Sequence, residues 1–153
     1  MDLILWRHAE AFDALEGQED LSRTLTPKGE KQALRMGQWL DRQLPEGDRV
    51  MSSPAIRCEQ TVKTLGRKVK YKSDLSPDAT LDDFLASVGW PDSKMSVLVV
   101  GHQPVLGQAI AYLLGIPTGE CSVRKGAVWW LRSRVRDGQT QTVVVSVQTP
   151  ELL

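Results

Sequence analysis

The chain has only two histidines, His8 and His102, and both stand in the same local setting. His8 follows the apolar run Leu3-Ile4-Leu5-Trp6 and then Arg7. His102 follows Val97-Leu98-Val99-Val100 and then Gly101. Each sits where a buried strand stops, and in open α/β sheets the ligand crevice lies beyond the carboxyl ends of the strands. If the two strands are neighbours, both imidazoles face one cleft. Such rings can act as nucleophile, proton carrier or anion ligand near neutral pH. One histidine at a strand end is ordinarily a satisfied polar residue. Two, each beside other cleft-type residues, point to chemistry.

Arginines accompany them. Arg7 adjoins His8, and Arg57 lies about one turn into a helix expected after Ser52-Ser53-Pro54. A guanidinium offers a planar fork of donors that fits phosphate and stays charged at any working pH. Helix N-termini add free backbone N–H groups for anions. Alone, Arg57 reads as a solvated helix residue. Two Arg and two His converging at three strand ends would instead neutralise a phosphoryl dianion. The expectation is geometric: the rings of His8 and His102 share one side of the sheet and lie within about 10 Å, roughly the screening length in 0.1 M salt.

The elements that must position these groups alternate. Leu3–Trp6 reads as a buried strand and Glu10–Arg23 as a polar loop. Thr26 then caps a helix with Pro27 at its first position, and Ala33, Met36, Gly37, Leu40 and Leu44 recur at helical spacing. Val50-Met51 is a short strand. Ser52-Ser53-Pro54 reads as the cap of a second helix running to about Leu65. Lys68–Tyr71 is a weak strand and Ser73–Pro77 a loop. Thr80-Leu81-Asp82-Asp83 opens a third helix, closed by Gly89-Trp90-Pro91. Ser96–Val100 is a buried strand, and a turn through Pro104 leads to a helix over Val105–Leu114. Ala127–Leu131 and Thr142–Val147 read as a hairpin around Asp137-Gly138. This order predicts a three-layer α/β/α sandwich, mostly parallel, with an antiparallel C-terminal edge hairpin. No linker divides it, so residues 1–153 read as one domain.

Composition narrows the partners. Lys and Arg total 19, as do Asp and Glu, so the net charge is zero. A neutral chain is not a general binder of nucleic acid or anionic membrane. Phosphate recognition must therefore come from a local cluster. No apolar run is long enough for an export signal or a membrane span. Cys58 and Cys121 form no C-x-x-C pair, and the spacing expected of a zinc site is absent. A cytoplasmic protein with reduced thiols is expected, and Cys58 reads as a small core residue rather than a nucleophile. Trp129 and Trp130 should face opposite sides of a strand. Trp6, Trp39 and Trp90 read as core or core-edge residues.

At this point four ordered segments resemble a family. Arg7-His8-Ala9-Glu10 is similar to the Arg-His-Gly motif of the histidine phosphatase (phosphoglycerate-mutase-like) superfamily. Leu25-Thr26-Pro27-Lys28-Gly29-Glu30-Lys31-Gln32-Ala33 resembles its Leu-Thr-x-x-Gly-x-x-Gln-Ala segment. Ser52-Ser53-Pro54-Ala55-Ile56-Arg57-Cys58-Glu59-Gln60-Thr61 resembles its Ser-Ser-x-x-x-Arg-Ala-x-x-Thr helix, and Val99-Val100-Gly101-His102-Gln103 its second-histidine strand end. The small size and Asp20-Leu21-Ser22-Arg23-Thr24-Leu25 resemble the compact SixA-type branch of phosphohistidine phosphatases. Arg23 then either grips phosphate or a protein partner, or simply pairs with Asp20 in the loop.

The resemblance implies that His8 is the nucleophile, with its other ring nitrogen held by a backbone carbonyl. It implies that Arg7, Arg57 and His102 bind the phosphoryl oxygens, that water hydrolyses a phosphohistidine intermediate, and that no metal or other cofactor is needed. The substrate would be a phosphorylated protein, either a histidine-phosphotransfer domain or a phosphotransferase-system protein. The alternatives are a small phosphorylated metabolite and a phosphohistidine-binding module without catalysis. Two isolated histidines make a poor dinuclear metal site. Two departures stand out. The segment after the Arg57 helix offers Asp74, Asp78, Asp82 and Asp83 but no Glu as general acid. Ala9 replaces the motif glycine, which bears on the width of the pocket floor.

Overall fold

The structure is a computed structural model that describes residues 1–153. Apolar runs in the sequence become its inner strands. β1 (Asp2–Arg7), β2 (Arg49–Ser52) and β4 (Val97–Gly101) are the buried centre, and β3 (Lys70–Tyr71) is a two-residue edge. The sheet order is β3-β2-β4-β1-β5-β6. β1, β2, β3 and β4 run parallel, and β5 (Val128–Arg136) lies antiparallel against β1. β6 (Gln139–Gln148) closes an antiparallel hairpin on β5, with a register shift at Trp130/Leu131. The expected mostly parallel sheet with an antiparallel C-terminal edge is what forms. The two hairpin strands run longer than expected, because their distal halves pair only with each other and stay exposed. They carry no burial pattern in the sequence.

Side-chain alternation on the inner strands feeds two cores, one on each face. Ile4, Trp6, Leu98 and Val100 pack against Met36 and Leu40 of α1 (Pro27–Gln43) and Cys58 and Val62 of α2 (Ile56–Lys63). Leu3, Leu5, Val97 and Val99 pack against Phe84 and Val88 of α3 (Leu81–Val88) and Leu106 and Ile110 of α4 (Val105–Leu114). Helices therefore cover both faces, giving the expected three layers. Trp129 packs on the α3–α4 side and Trp130 on the α1–α2 side. None of the helices is long and apolar enough to cross a membrane.

Caps follow the sequence at α1 and α3. Thr26 Oγ1 accepts from Gly29 N, and Thr80 Oγ1 accepts from Asp83 N. At α2 the expectation fails. The helix begins at Ile56, and Ala55 is still extended at ψ 139°. Ser53 Oγ accepts from Ala55 N and also lies 2.8 Å from a nitrogen of His102. The hydroxyl that looked like a helix cap serves a tertiary contact, so Ser53-Pro54-Ala55 remains a turn. Ser73–Leu75, expected as loop, is a 3-10 turn that seats buried Leu75.

Candidate active site

β1 and β4 are adjacent and in parallel register, with Arg7 opposite Gly101. The next residue on each is a histidine, and His8 N donates to Gly101 O at 3.1 Å. The ring centroids of His8 and His102 stand 5.2 Å apart, tilted by 59°. Arg57 enters from the first turn of α2, beyond the end of β2, and its Nη2 lies 3.4 Å from His102 Nδ1. Arg7, His8, Arg57 and His102 line one cleft of about 270 Å³. The four residues singled out in the sequence are thus brought together. A larger cavity of about 1040 Å³ lies at the opposite end of the strands, around Asp48, Arg49 and Arg67, and holds neither histidine.

Each imidazole is held in a defined orientation. The carbonyl of Ala9 lies 2.8 Å from His8 Nδ1. A carbonyl only accepts, so Nδ1 carries the proton and Nε2 keeps its lone pair. Ala9 is in turn tied from below, because its N–H donates to Thr61 Oγ1 at 3.1 Å, while Thr61 Oγ1 donates to Arg57 O at 2.7 Å. The Ala9 methyl packs with Leu25 and Ala33, away from the cleft. For His102, the guanidinium of Arg57 only donates, which leaves Nδ1 as acceptor. Nε2–H then donates to Ser53 Oγ at 2.8 Å.

The family-like segments act as staples for the loop after β1. Gln32 Oε1 accepts from Glu10 N, and Gln60 Oε1 accepts from Leu25 N at 2.7 Å. Gly29 passes so close to the Glu10 carbonyl that a Cβ there would collide with it. The loop carrying His8's tether is therefore fastened by α1 and α2 together.

Arg7 Nη1 donates to Val123 O at 2.8 Å. Arg57 Nη1 donates to Asp20 O at 2.7 Å and Nη2 to Asp20 Oδ2 at 2.9 Å. The Nε atoms of both arginines are buried without an acceptor, a costly state for a donor. Burial pushes His8 down to about 4, helped by Arg57 and Arg7. Burial likewise pushes His102 down to about 3, helped by His8 and Arg57. Both rings are neutral at neutral pH. Cys58 lies under His102 with Sγ 3.4 Å from Nε2, and burial pushes its thiol up to about 12. It is a core residue, as expected.

Some expectations land elsewhere. Asp74, Asp78, Asp82 and Asp83 do not line the cleft, and Asp74 instead accepts from Ser87. The carboxylates that do line it are Asp13 and Asp20. Arg23 pairs with Asp20 at 3.0 Å, and it also lines the cleft. Lys125 and Gln103 also line it and were missed. A lone Lys in a loop carries no sequence signal. Gln103 could have been read from its position beside His102. Its amide bonds Cys121 O and Gly107 N, fixing the loop that holds Arg7. No group of three His, Cys, Asp or Glu side chains gathers as a metal site would require.

An α/β sandwich with two neutral imidazoles and two guanidinium groups at one cleft beyond its strand ends has a site of the class suited to an oxyanion. Comparison with known proteins sharpens that class. A model of the histidine phosphatase superfamily (branch 1) matches residues 3–86. The phosphohistidine phosphatase SixA of Escherichia coli is 32% identical over 121 residues, 74% of this chain and 74% of its own length. An uncharacterized protein of Picosynechococcus sp. is 32% identical over 152 residues, 93% of this chain and 91% of the other. The solved structure of the protein histidine phosphatase SixA complexed with tungstate matches with a TM-score of 0.80 at 25% identity, covering 99% of each chain. The chain belongs to the histidine phosphatase superfamily, and at that level it is a phosphatase.

Proposed function

We propose that residues 1–153 form one phosphatase domain that works without a metal through a phosphohistidine intermediate on His8, and that its substrate is phosphohistidine in a protein of a signalling or phosphotransfer system. The observation that carries this reading is His8 itself. Its Nδ1 is tied to the Ala9 carbonyl, its ring is neutral, and its Nε2 lone pair stands beside Arg7, Arg57 and His102.

In this reading Nε2 attacks phosphorus in line as the bond to the leaving nitrogen breaks. Arg7 and Arg57 hold the phosphoryl oxygens and stabilise the charge that spreads over them. His102 Nδ1 lies at the cleft beside Arg57, and it becomes the fourth ligand once the bound phosphoryl dianion draws a proton onto it. Water then attacks the phosphohistidine and frees His8. A phosphorylated imidazole protonated on its second nitrogen leaves neutral, so no strong acid is required. The lining suits that substrate. Arg57 and Arg23 hold the Asp20 carboxyl below the usual carboxylate range, which makes it a poor proton donor. The tungstate complex of a similar fold supports a tetrahedral oxyanion as ligand. The relative from E. coli, a phosphohistidine phosphatase, supports phosphohistidine.

Asp13 at the cleft favours one second reading, a phosphomonoesterase acting on a small metabolite, because it could protonate an alkoxide. Turnover of a phosphohistidine protein compared with sugar and nucleotide phosphates separates the two. The proposal expects a higher kcat/KM on the phosphohistidine protein. Higher efficiency on a phosphomonoester reverses the assignment, and binding without turnover of either leaves a phosphohistidine-reading module.

A further inference from the structure

We propose that Asp20 is a positioning residue of the phosphate site: it clamps Arg57 and Arg23 into one ordered pair, and its charge at the rim weakens the hold on inorganic phosphate so that product leaves. This rests on the phosphatase reading above and adds a function for a carboxylate that has no place in the chemical step.

Asp20 opens a 3-10 turn, Asp20–Ser22, in the loop after β1. Three of its oxygen atoms receive guanidinium donors. Its carbonyl takes Arg57 Nη1 at 2.7 Å, Oδ2 takes Arg57 Nη2 at 2.9 Å, and Oδ1 takes Arg23 Nε at 3.0 Å. Arg23 is fixed a second time by donating from Nη1 to Phe12 O at 2.9 Å. Without such partners two long cationic side chains would sample many rotamers, and ordering them would be charged to substrate binding. The clamp supplies that order beforehand.

The two partners differ in exposure, and this gives the second half of the inference. The Arg57 side chain is 3% exposed, whereas Asp20 is 53% exposed. The carboxylate therefore meets Arg57 from the solvent side rather than from beneath. A phosphoryl group entering the cleft shares the Arg57 guanidinium with it. Arg7, Arg23, Arg57 and Lys125 would otherwise surround that anion with only Asp13 opposing them. Binding energy shared equally by product, substrate and transition state does not speed the chemical step, and tight product slows turnover. A fixed negative charge at the rim lowers that shared affinity while the clamp preserves geometry.

The test compares wild type with Asp20→Asn, Asp20→Glu and Asp20→Ala, using phosphoramidate as phosphodonor and orthophosphate as competitive inhibitor. Asp20→Asn removes the charge but keeps the backbone acceptor and a side-chain oxygen for Arg57. Its Ki for orthophosphate should fall roughly 3- to 20-fold, from one unit charge removed near a multivalent anion in a partly solvated site. KM should fall in parallel. Asp20→Glu should return Ki to within about twofold of wild type, from the same charge restored. Asp20→Ala, which also loses the clamp, should lose more in kcat than Asp20→Asn does. An unchanged or raised Ki in Asp20→Asn overturns the proposal, since a merely structural Asp20 would loosen Arg57 and weaken phosphate. Wild type that neither turns over phosphoramidate nor binds orthophosphate instead overturns the phosphatase reading on which it rests.

Discussion

Replacing Thr61 by Val tests whether the His8 tether matters. Thr61 is fully buried, and Val nearly matches its shape. The lost hydroxyl leaves Ala9 N–H with no acceptor and removes one bond to Arg57 O. An unsatisfied buried donor costs about 1–3 kcal/mol, which in a domain of this size lowers Tm by very roughly 3–8 °C. The kinetic effect follows from the next link. Ala9 O is the partner of His8 Nδ1, so a displaced Ala9 peptide lets the nucleophile turn away from its line of attack. A loss of about 1–2 kcal/mol in the transition state is a 5- to 30-fold fall in kcat. KM should hold within about twofold, because Thr61 meets Arg57 only at its backbone carbonyl and the guanidinium groups proposed to bind the phosphoryl group keep their own partners. Steady-state kinetics on a small phosphodonor and a thermal melt measure both. Thr61→Ser, which restores the hydroxyl, should recover most of kcat while remaining less stable than wild type. A Thr61→Val protein that melts lower yet keeps full kcat would refute the idea that Ala9 aims His8.

Arg57→Lys keeps the charge but not the fork that spans Asp20 and the cleft; kcat/KM should drop about 100-fold, from about 3 kcal/mol of charge-assisted bonding, and a drop under threefold would count against a bidentate role. Gly107→Ala would drive a Cβ into the Cys121 carbonyl and shift the loop whose Val123 O holds Arg7; KM should rise several-fold although residue 107 does not line the cleft, as steady-state assays would show. With His8 held to about 4, kcat/KM should rise with pH through about 4 and show no further histidine limb to neutrality. Stability should follow the same sign. Between about 4 and the unfolded value of 6.5 the unfolded chain binds more protons than the folded one, so acidification costs up to about 1.4 kcal/mol per pH unit for each imidazole. Urea melts at several pH values check it, and stability that is flat from pH 6.5 to 4 would contradict it.

The parts of the fold that were legible in the sequence are those where burial and local chemistry agree. Val97–Val100 and Leu3–Trp6 read as strands because both faces of each are covered, and Thr26-Pro27 marked a helix start because the hydroxyl does cap it. Ser53 misled because a tertiary partner, His102, outbid the local cap. The outer halves of β5 and β6 left no trace because their side chains face solvent on both sides. In the site, the histidines and Arg7 were legible from strand ends, and Arg57 from its place after β2. Asp13 and Lys125 were not, since each is a single charged residue that only the closing of loops brings to the cleft. None of Asp74, Asp78, Asp82 and Asp83 carried a motif for the acid role, and none lines the cleft. Asp82 and Asp83 are spent in the first turn of α3, where the helix dipole accounts for them.

The account depends above all on a covalent bond between phosphorus and one ring nitrogen of His8. Rapid quenching of the protein with isotopically labelled phosphoramidate, followed by peptide mapping, tests that bond directly. The account predicts an acid-labile, base-stable phosphoryl group on the peptide that contains His8, absent in His8→Ala and retained in His102→Ala. Turnover with no trapped adduct, or an adduct that survives the loss of His8, would contradict it.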